Sequence, residues 1–274
     1  MTKITEFPAA TAVAAADVFL LDGAAGTKKV PASELPFLLF DSIPTMHKTL
    51  YRGKYLGASF TAGQKTAVQN GTFTDLWVGD YWTIGGVNWR IADVNYWYGK
   101  GDTAFNANHL VIVPDSAFTD MPWHGTSTTA MGYGGSLMRT TNLAEAKTAA
   151  GAAFPSSVLT HRELFNSTVS SGVPANTTWY DSTLDLMNEI MLTGSYVMSV
   201  ASTSATISNR YTIDQSQLAL FRLNPALMNA VGRVAYWLRD VASTLSVVRH
   251  GSDGHQTLQD PTYPSGVRPV FAIG

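Results

Sequence analysis

The chain has 274 residues, of which 45% are hydrophobic and only 14% are charged, against about 25% charged in typical soluble domains. This length allows one large domain with a small appendage. A net charge of −2 excludes the basic footprint of a protein that binds nucleic acid. Cysteine is absent, which excludes disulfides, thiolate nucleophiles and thiolate metal ligands.

Membrane insertion and a cleaved leader are not expected. No stretch approaches the about 18 uninterrupted apolar residues of a membrane span. The apolar segment 9–21 is interrupted by Asp17, and only Lys3 and Glu6 are charged before it, which is not the pattern of a signal peptide. A soluble protein made in a cytoplasm is therefore expected.

Residues 1–45 read as a separate N-terminal arm. Residues 17–22 and 27–30 are predicted to form strands around a turn at 23–26, and 31–40 give a capped apolar turn of helix or an extended segment. A lone hairpin is only marginally stable in water. Two interpretations stay open: the arm associates with arms of other chains, or it packs on its own domain.

Three helices are predicted in the remainder of the chain. Thr61 caps the first, over residues 61–71. Asn142, with a glutamate three residues later, gives the second, over 143–150, a capping box. Apolar residues at helical spacing predict the third over 183–192.

The clearest hairpin joins strands at 81–84 and 87–91 through Gly85 and Gly86, which supply the positive φ angles of a two-residue turn. A further strand is predicted at 109–113, where a proline ends it.

Two Gly, Ser and Thr-rich stretches, 115–140 and 166–178, are predicted to be ordered surface insertions. Trp97 and Trp123 lie in polar, Gly-flanked surroundings, where exposure is possible. Tryptophans in apolar surroundings are predicted for the core: Trp77, Trp82, Trp89, Trp179 and Trp237.

The last forty residues carry the strongest indication of function. An aromatic strand at 236–240 and a final strand at 266–274 enclose residues 241–265, which show neither a helical nor a strand period. A rigid frame around an unpatterned insert is typical of a recognition surface, because the frame carries the packing energy and the loop is free to vary. The pattern therefore indicates binding.

The same frame resembles a known family. A Trp-Leu-Arg strand followed about twenty-five residues later by Gly-Val-Arg-Pro-Val-Phe-Ala-Ile is similar to the C-type-lectin-like modules of phage and bacterial surface proteins. In some of these, diversity-generating retroelements rewrite the loops. The resemblance covers residues 46–274. Its other motifs are Tyr51-Arg52-Gly53-Lys54, Val78-Gly79-Asp80-Tyr81-Trp82, Asn88-Trp89-Arg90-Ile91-Ala92, Val111-Ile112-Val113-Pro114, Leu159-Thr160-His161-Arg162 and Trp179-Tyr180-Asp181-Ser182-Thr183.

The resemblance implies an α+β, C-type-lectin-like domain at 46–274, carried on the short β-rich assembly arm. It implies a phage tail or prophage-encoded receptor-binding protein, located in the virion tail, whose partners are a bacterial surface protein or glycan and other tail proteins. A homotrimer is expected. The leading alternative is a structural virion protein without its own receptor. An enzyme related to formylglycine-generating proteins is the third alternative, because that chemistry needs cysteine and this chain has none. No catalytic residues and no cofactor are expected.

The ligand-binding prediction rests on polar and aromatic side chains of the 241–265 segment. Retroelement mutagenesis of asparagine-type codons does not yield glutamine, so Gln256 and Gln259 are either fixed positions or a sign that the segment is not diversified. The predicted contact residues are Thr244, Leu245, Arg249, His250, Ser252, Asp253, His255, Gln256, Gln259, Asp260, Thr262 and Tyr263.

Metal binding is disfavoured by the motifs present. Calcium-dependent lectins of this fold use Glu-Pro-Asn or Gln-Pro-Asp, whereas Gln259-Asp260-Pro261 has the wrong order. A site built from the histidines and aspartates of the segment, His250, Asp253, His255 and Asp260, is conceivable, but none of the six histidines forms a His-x-x-x-His pair. Recognition is expected to be metal-independent.

Two charged groups elsewhere are predicted to be structural. Arg239 and Arg268 recur in the family frame, and each is expected to hold the loop by donating to its backbone carbonyls. Asp181, Asp185 and Glu189 are four residues apart on the predicted third helix, where a row of carboxylates indicates a solvated face. No Gly-x-Ser-x-Gly elbow or phosphate loop is present.

Overall fold

The computed structural model describes residues 14, 17–23, 26–199 and 216–274, which form a mixed structure of helices and sheets, compatible with the α+β class. The N-terminal arm forms the predicted hairpin from β1 (Val18–Gly23) and β2 (Gly26–Pro31), followed by α1 (Leu35–Phe40). None of the α1 residues is buried. Among these residues, no helix has the length and apolar character that crossing a membrane requires.

A six-stranded sheet forms one half of the core. The strand nearest the C-terminus pairs antiparallel with three neighbours, so it lies in the interior of the sheet. The sheet runs in the order β10-β15-β5-β4-β3, with β7 also paired to β15. Its strands are β3 (Tyr81–Ile84), β4 (Val87–Val94), β5 (Leu110–Pro114), β7 (Val158–Leu159), β10 (Asp185–Leu186) and β15 (Pro269–Ile273).

The Gly-Gly hairpin of this sheet is confirmed. Gly85 and Gly86 have φ angles of 61° and 79°, and Ile84 pairs with Val87 across the turn. A side chain at either position would be strained in this left-handed backbone region, which is why glycine suits the turn.

A second, five-stranded sheet contains most of the predicted loop. Its order is β13-β12-β11-β14-β6, and β11 and β14 run parallel. The prediction that 241–265 lacks strands is therefore wrong. Val247 and Val248 are consecutive and both buried, so β12 is covered on both faces and shows no alternation in its sequence. The strands are β6 (Phe118–Pro122), β11 (Tyr236–Ser243), β12 (Ser246–His250), β13 (Gln256–Gln259) and β14 (Pro264–Val267).

The two stretches predicted as surface insertions also contain strands. Residues 166–178 form most of a long antiparallel hairpin of β8 (His161–Ser170) and β9 (Val173–Ser182). Residues 115–140 include β6, at the edge of the five-stranded sheet. Both regions are therefore part of the folded framework.

Of the predicted helices, the first is confirmed. Helix α2 (Ala62–Gln69) begins with a capping box, in which Gln64 N donates to Thr61 Oγ1 (3.2 Å) and Thr61 N donates to Gln64 Oε1 (2.9 Å). Helix α3 (Ala144–Ala153) is also present, but its predicted capping box is wrong. Asn142 ends a preceding helical turn, Met138–Asn142, and its amide donates to the Pro122 carbonyl (2.7 Å).

The third predicted helix is mostly wrong. Ser182 ends β9, and only α4 (Glu189–Thr193) is helical, with the Asn188 side chain accepting from Met191 N (2.7 Å). Residues 184–192 are all buried whether or not they are helical, so their apolar spacing does not report one exposed face. The remaining helix is α5 (Ala219–Leu223), and short 3-10 turns lie at Pro44–Lys48, Pro225–Met228 and Val231–Arg233.

The core between the sheets is rich in tryptophan. Four of the five tryptophans predicted for the core, Trp77, Trp82, Trp89 and Trp237, are fully buried, whereas Trp179 is half-buried. Trp97 and Trp123, for which exposure was thought possible, are buried as well. The indole of Trp89 packs edge-on against Phe154 and Phe271 at centroid distances of 5.9 and 5.6 Å.

Candidate ligand-binding surface

The candidate surface consists of the turns and outward side chains of β11 to β14. All twelve predicted contact residues belong to these strands and turns. The β11–β12 turn places Thr244 and Leu245 in solvent. A segment distant in sequence supports this turn, since Thr129 donates from its N to the Thr244 carbonyl (3.0 Å) and from its Oγ1 to the Ser243 carbonyl (2.7 Å). Thr129 thus fixes the backbone of this turn, while the side chains of Thr244 and Leu245 remain exposed.

The turn after β13 is ordered by one carboxylate. Asp260 accepts from Thr262 N (2.8 Å), from Thr262 Oγ1 (2.6 Å) and from the Ser127 hydroxyl. These hydrogen bonds, first that from Ser127, lower the pKa of Asp260 below its usual value. Gln259 is also used locally, because its Oε1 accepts from Asp260 N (3.1 Å). This turn therefore carries an ionised carboxylate in a fixed position.

Arg249 and Tyr263 form the aromatic part of the surface. Arg249 donates from Nε to Thr257 Oγ1 (3.1 Å) and from Nη1 to Ser265 Oγ (3.3 Å). Its guanidinium lies 5.4 Å from the centroid of the Tyr263 ring, within the range of a cation–π contact. Arg249 pairs with Thr257 and with Trp237 in the sheet, so it stands between two neighbouring strands.

The β12–β13 turn presents Ser252, Asp253 and His255, which are all exposed. Arg233 Nε donates to the Ser252 carbonyl (2.9 Å), and His255 Nδ1 lies 3.2 Å from Asp253 Oδ1. Gly254 has a φ angle of +96°, which favours glycine there.

The predicted contact residues fall into two groups. Residues 244–245 and 259–263 lie at one end of the β12–β13 hairpin, and 252–255 lie at the other. Five-residue β12 separates the two ends by roughly 16 Å at about 3.3 Å per residue. Arg249 stands between them, towards the 252–255 end of β12.

Two predicted contact residues are not on the surface. His250 and Gln256 pair directly across β12 and β13 and are only 1% and 5% exposed. His250 Nε2 lies 3.2 Å from Asn229 Oδ1, and burial lowers the pKa of His250 to about 4, so the ring is neutral at pH 7. The expectation that these side chains face a ligand is wrong; their polar character gave no sign of burial.

The conceivable metal site is not assembled. His250 is buried, Asp253 and His255 share one turn, and Asp260 lies at the opposite end of the hairpin. Over the described parts of the chain, no three His, Asp or Glu side chains are grouped as metal ligands would be.

The two frame arginines behave differently from each other. Arg268 is 1% exposed and donates to the carbonyls of Pro114 (2.9 Å), Met228 (2.7 Å) and Leu227 (3.0 Å). The prediction that Arg268 holds the 241–265 segment is therefore wrong, because these carbonyls belong to other segments. Arg239 pairs with the buried carboxylate of Glu163 at 3.5 Å. This contact is with β8 and not with the 241–265 segment that Arg239 was predicted to hold.

The predicted row of solvated carboxylates is also corrected. Asp181 is exposed, but Asp185 and Glu189 are buried. Asp185 accepts from Tyr133 Oη (2.9 Å) and Ser182 Oγ (2.5 Å), and burial raises the pKa of this carboxyl. Glu189 accepts from the backbone N of Met198 and of Ser199, both at 2.9 Å. Both carboxyls thus bind other parts of the fold.

Two residues of the candidate surface were missed by the sequence analysis. Ser127 and Thr129 contact it from the stretch predicted as a separate insertion. Ser127 and Asp260 are 133 positions apart, and no local pattern connects them. Only the three-dimensional fold reveals this contact.

A separate cleft of about 390 Å³ lies between the N-terminal arm and the main domain. Phe37 of α1 meets Trp77 edge-on at 5.0 Å, and Asp41 Oδ1 accepts from Asp75 N (2.8 Å) beside it. These contacts join the arm to its own domain, as one of the two interpretations expected.

No protein-family model, no curated protein and no solved structure matches this chain.

Proposed function

We propose that this chain is a recognition protein that binds a bacterial surface ligand through the candidate surface, as a phage tail or prophage-encoded receptor-binding protein. The observation that carries the proposal is the pair of Tyr263 and Arg249, an exposed aromatic ring stacked with a fixed guanidinium. Aromatic and arginine side chains supply most of the binding energy in protein recognition.

The support beneath these side chains favours recognition. The turns that carry Thr244 and Thr262 are tied to Thr129 and Ser127, so little conformational entropy is lost when a ligand binds. The domain at 46–274 is proposed to be C-type-lectin-like, with 1–45 as its assembly arm. Binding without catalysis is proposed, since the buried carboxyls Asp185 and Glu189 bind other parts of the fold.

Recognition is proposed to be independent of metal ions. Asp260, the carboxylate nearest the exposed tyrosine in sequence, is occupied by hydroxyl and amide donors from Ser127 and Thr262.

We expect the labelled chain to bind host cells saturably, and equally well with and without a calcium chelator. Loss of binding in the chelator, with the fold intact by circular dichroism, would contradict metal independence. Absence of saturable binding to any cell of the host range would contradict the receptor-binding proposal itself.

The N-terminal arm is proposed to join copies of this chain, as a trimer. Val18 and Leu20 of β1 and Leu38 and Leu39 of α1 are each more than half exposed. A two-stranded sheet with an apolar face gains stability when a partner covers that face. The same exposed arm favours the second candidate function, a structural virion protein, which the cell-binding measurement separates from the first.

The assembly proposal is tested by changing Leu20 and Leu39 together to Lys in the full chain. Charges on an apolar interface are costly to bury, so we expect the wild type to scatter light as a trimer at micromolar concentration and the variant as a monomer. The control is Leu258→Lys, which charges an exposed leucine of β13 and should leave the mass unchanged. A wild-type monomer, or a variant that stays trimeric, would refute the proposal.

A further inference from the structure

Arg249 lies on the candidate surface, and its hydrogen-bond partners there are not acidic. Its Nε and Nη1 donate to the hydroxyls of Thr257 and Ser265, which are neutral acceptors. Within the described residues, no carboxylate forms an ion pair with it. Arginines that do pair with carboxylates are Arg52 with Asp75 and Asp80, Arg90 with Asp115, Arg139 with Asp185, Arg162 with Asp102 and Asp181, and Arg239 with Glu163.

The guanidinium is nevertheless held in place. Two hydrogen bonds fix its Nε and Nη1, and its Cζ lies over the Tyr263 ring, 5.4 Å from the centroid. A guanidinium has five N–H donors, and these two bonds use two of them. Arg249 is half-buried, so its positive charge is only partly screened by water. A fixed, partly desolvated cation with spare donors is suited to bind a planar anion in a bidentate manner.

We infer that the ligand presents a carboxylate to Arg249, and that this carboxylate belongs to an acidic sugar. This inference rests on the proposed recognition function. The surroundings favour a sugar over an acidic peptide because the groups in contact with Arg249 are two hydroxyls and one aromatic ring: Thr257 and Ser265 with Tyr263. The Thr257 and Ser265 hydroxyls match the hydroxyls of a sugar, and the half-exposed ring of Tyr263 offers an apolar face to pack on.

The experiment measures binding of the full chain to immobilised polyglucuronate, with dextran as the neutral polysaccharide and polyglutamate as the acidic peptide. We expect binding to polyglucuronate and at least about tenfold weaker binding to dextran, which has no carboxylate, because a hydrogen bond to a charged group contributes roughly that factor. Polyglutamate should also bind more weakly, because it has the carboxylate but neither the hydroxyls nor the sugar ring that Thr257, Ser265 and Tyr263 would contact. Arg249→Gln should lose at least about tenfold for polyglucuronate. The control Arg222→Gln, at an exposed arginine whose Nη2 donates to the Lys48 carbonyl, should bind as the wild type does.

Three outcomes would overturn the inference: equal binding of polyglutamate, equal binding of dextran, or full retention of binding by Arg249→Gln. If Arg249→Gln lowers the melting temperature, Arg249→Lys replaces it; this variant keeps the charge but loses bidentate geometry, and it should still bind more weakly than the wild type. Saturable cell binding that persists without polyglucuronate binding would refute the acidic sugar and leave the recognition function intact. Absence of both would refute both.

Discussion

Replacing Trp237 with Ala is expected to lower the free energy of unfolding by about 3–5 kcal/mol. Trp237 is fully buried on β11, in the middle of the five-stranded sheet, and its Nε1 donates to the Met121 carbonyl (2.8 Å). The substitution leaves a cavity and an unpaired carbonyl beneath the candidate surface. Urea unfolding followed by tryptophan fluorescence and circular dichroism measures the loss.

The matched control is His255→Ala on the exposed β12–β13 turn. An exposed side chain away from the core changes stability by no more than about 0.5 kcal/mol. Similar losses from both substitutions would contradict the division into a packed frame and exposed contact residues. Gln256→Ala is not a suitable second control, because the Gln256 side chain is buried.

The second large effect is expected at Arg268. Its guanidinium covers the carbonyls of Pro114, Leu227 and Met228 and packs over the ring of Tyr236 at 5.1 Å. Arg268→Ala removes one donor from each carbonyl. The Met228 carbonyl keeps the hydrogen bond from Tyr236 Oη (2.6 Å), whereas the Pro114 and Leu227 carbonyls lose the Arg268 donor, at about 1–3 kcal/mol for each group left unsatisfied, and the packing on Tyr236 is lost as well. We therefore expect a loss of about 3 kcal/mol or more in unfolding free energy.

Arg268→Lys separates charge from geometry. An ammonium group is compact and cannot reproduce the planar fork that reaches three carbonyls, so this variant should also be destabilised, though less than Arg268→Ala. The exposed Arg222→Ala should change stability by less than about 0.5 kcal/mol. Full stability of Arg268→Lys would show that charge alone, not the three-carbonyl geometry, is what the site requires.

The sequence predicted those elements whose signal is local. Gly85 and Gly86 fix a hairpin by backbone conformation alone, and Thr61 with Gln64 caps a helix within one turn. Such signals need no tertiary context. The N-terminal hairpin was found in the same way, from its strands and turn.

Elements covered on several sides were missed or misread. Val247 and Val248 of β12 are both buried, so the strand has no polar face to give a period of two. The spacing of Leu184, Met187 and Ile190 imitates a helix, although β10 lies within that stretch and only its last part is helical. Periodicity reports one exposed face, whereas residues 184–192 and the two valines of β12 are covered on all sides.

The sequence predicted the exposure of the candidate contact residues only in part. Most of the polar residues between 244 and 263 are exposed or half-buried, whereas the polar His250 and Gln256 are buried. Residue type alone cannot separate these cases. The burial of a side chain depends on which strand the residue occupies and which face of that strand is covered. The support from Ser127 and Thr129 comes from a distant segment, which no local pattern predicts.

The recognition proposal is tested most directly by host-cell binding of two tyrosine variants. Tyr263 and Tyr98 are 50% and 48% exposed, so Tyr263→Ala and Tyr98→Ala remove rings of equal accessibility from different parts of the surface. We expect Tyr263→Ala to weaken binding about tenfold or more, as the loss of a central aromatic anchor does, and Tyr98→Ala to bind as the wild type does. Equal binding by both variants, or a loss confined to Tyr98→Ala, would contradict the assignment of recognition to this surface.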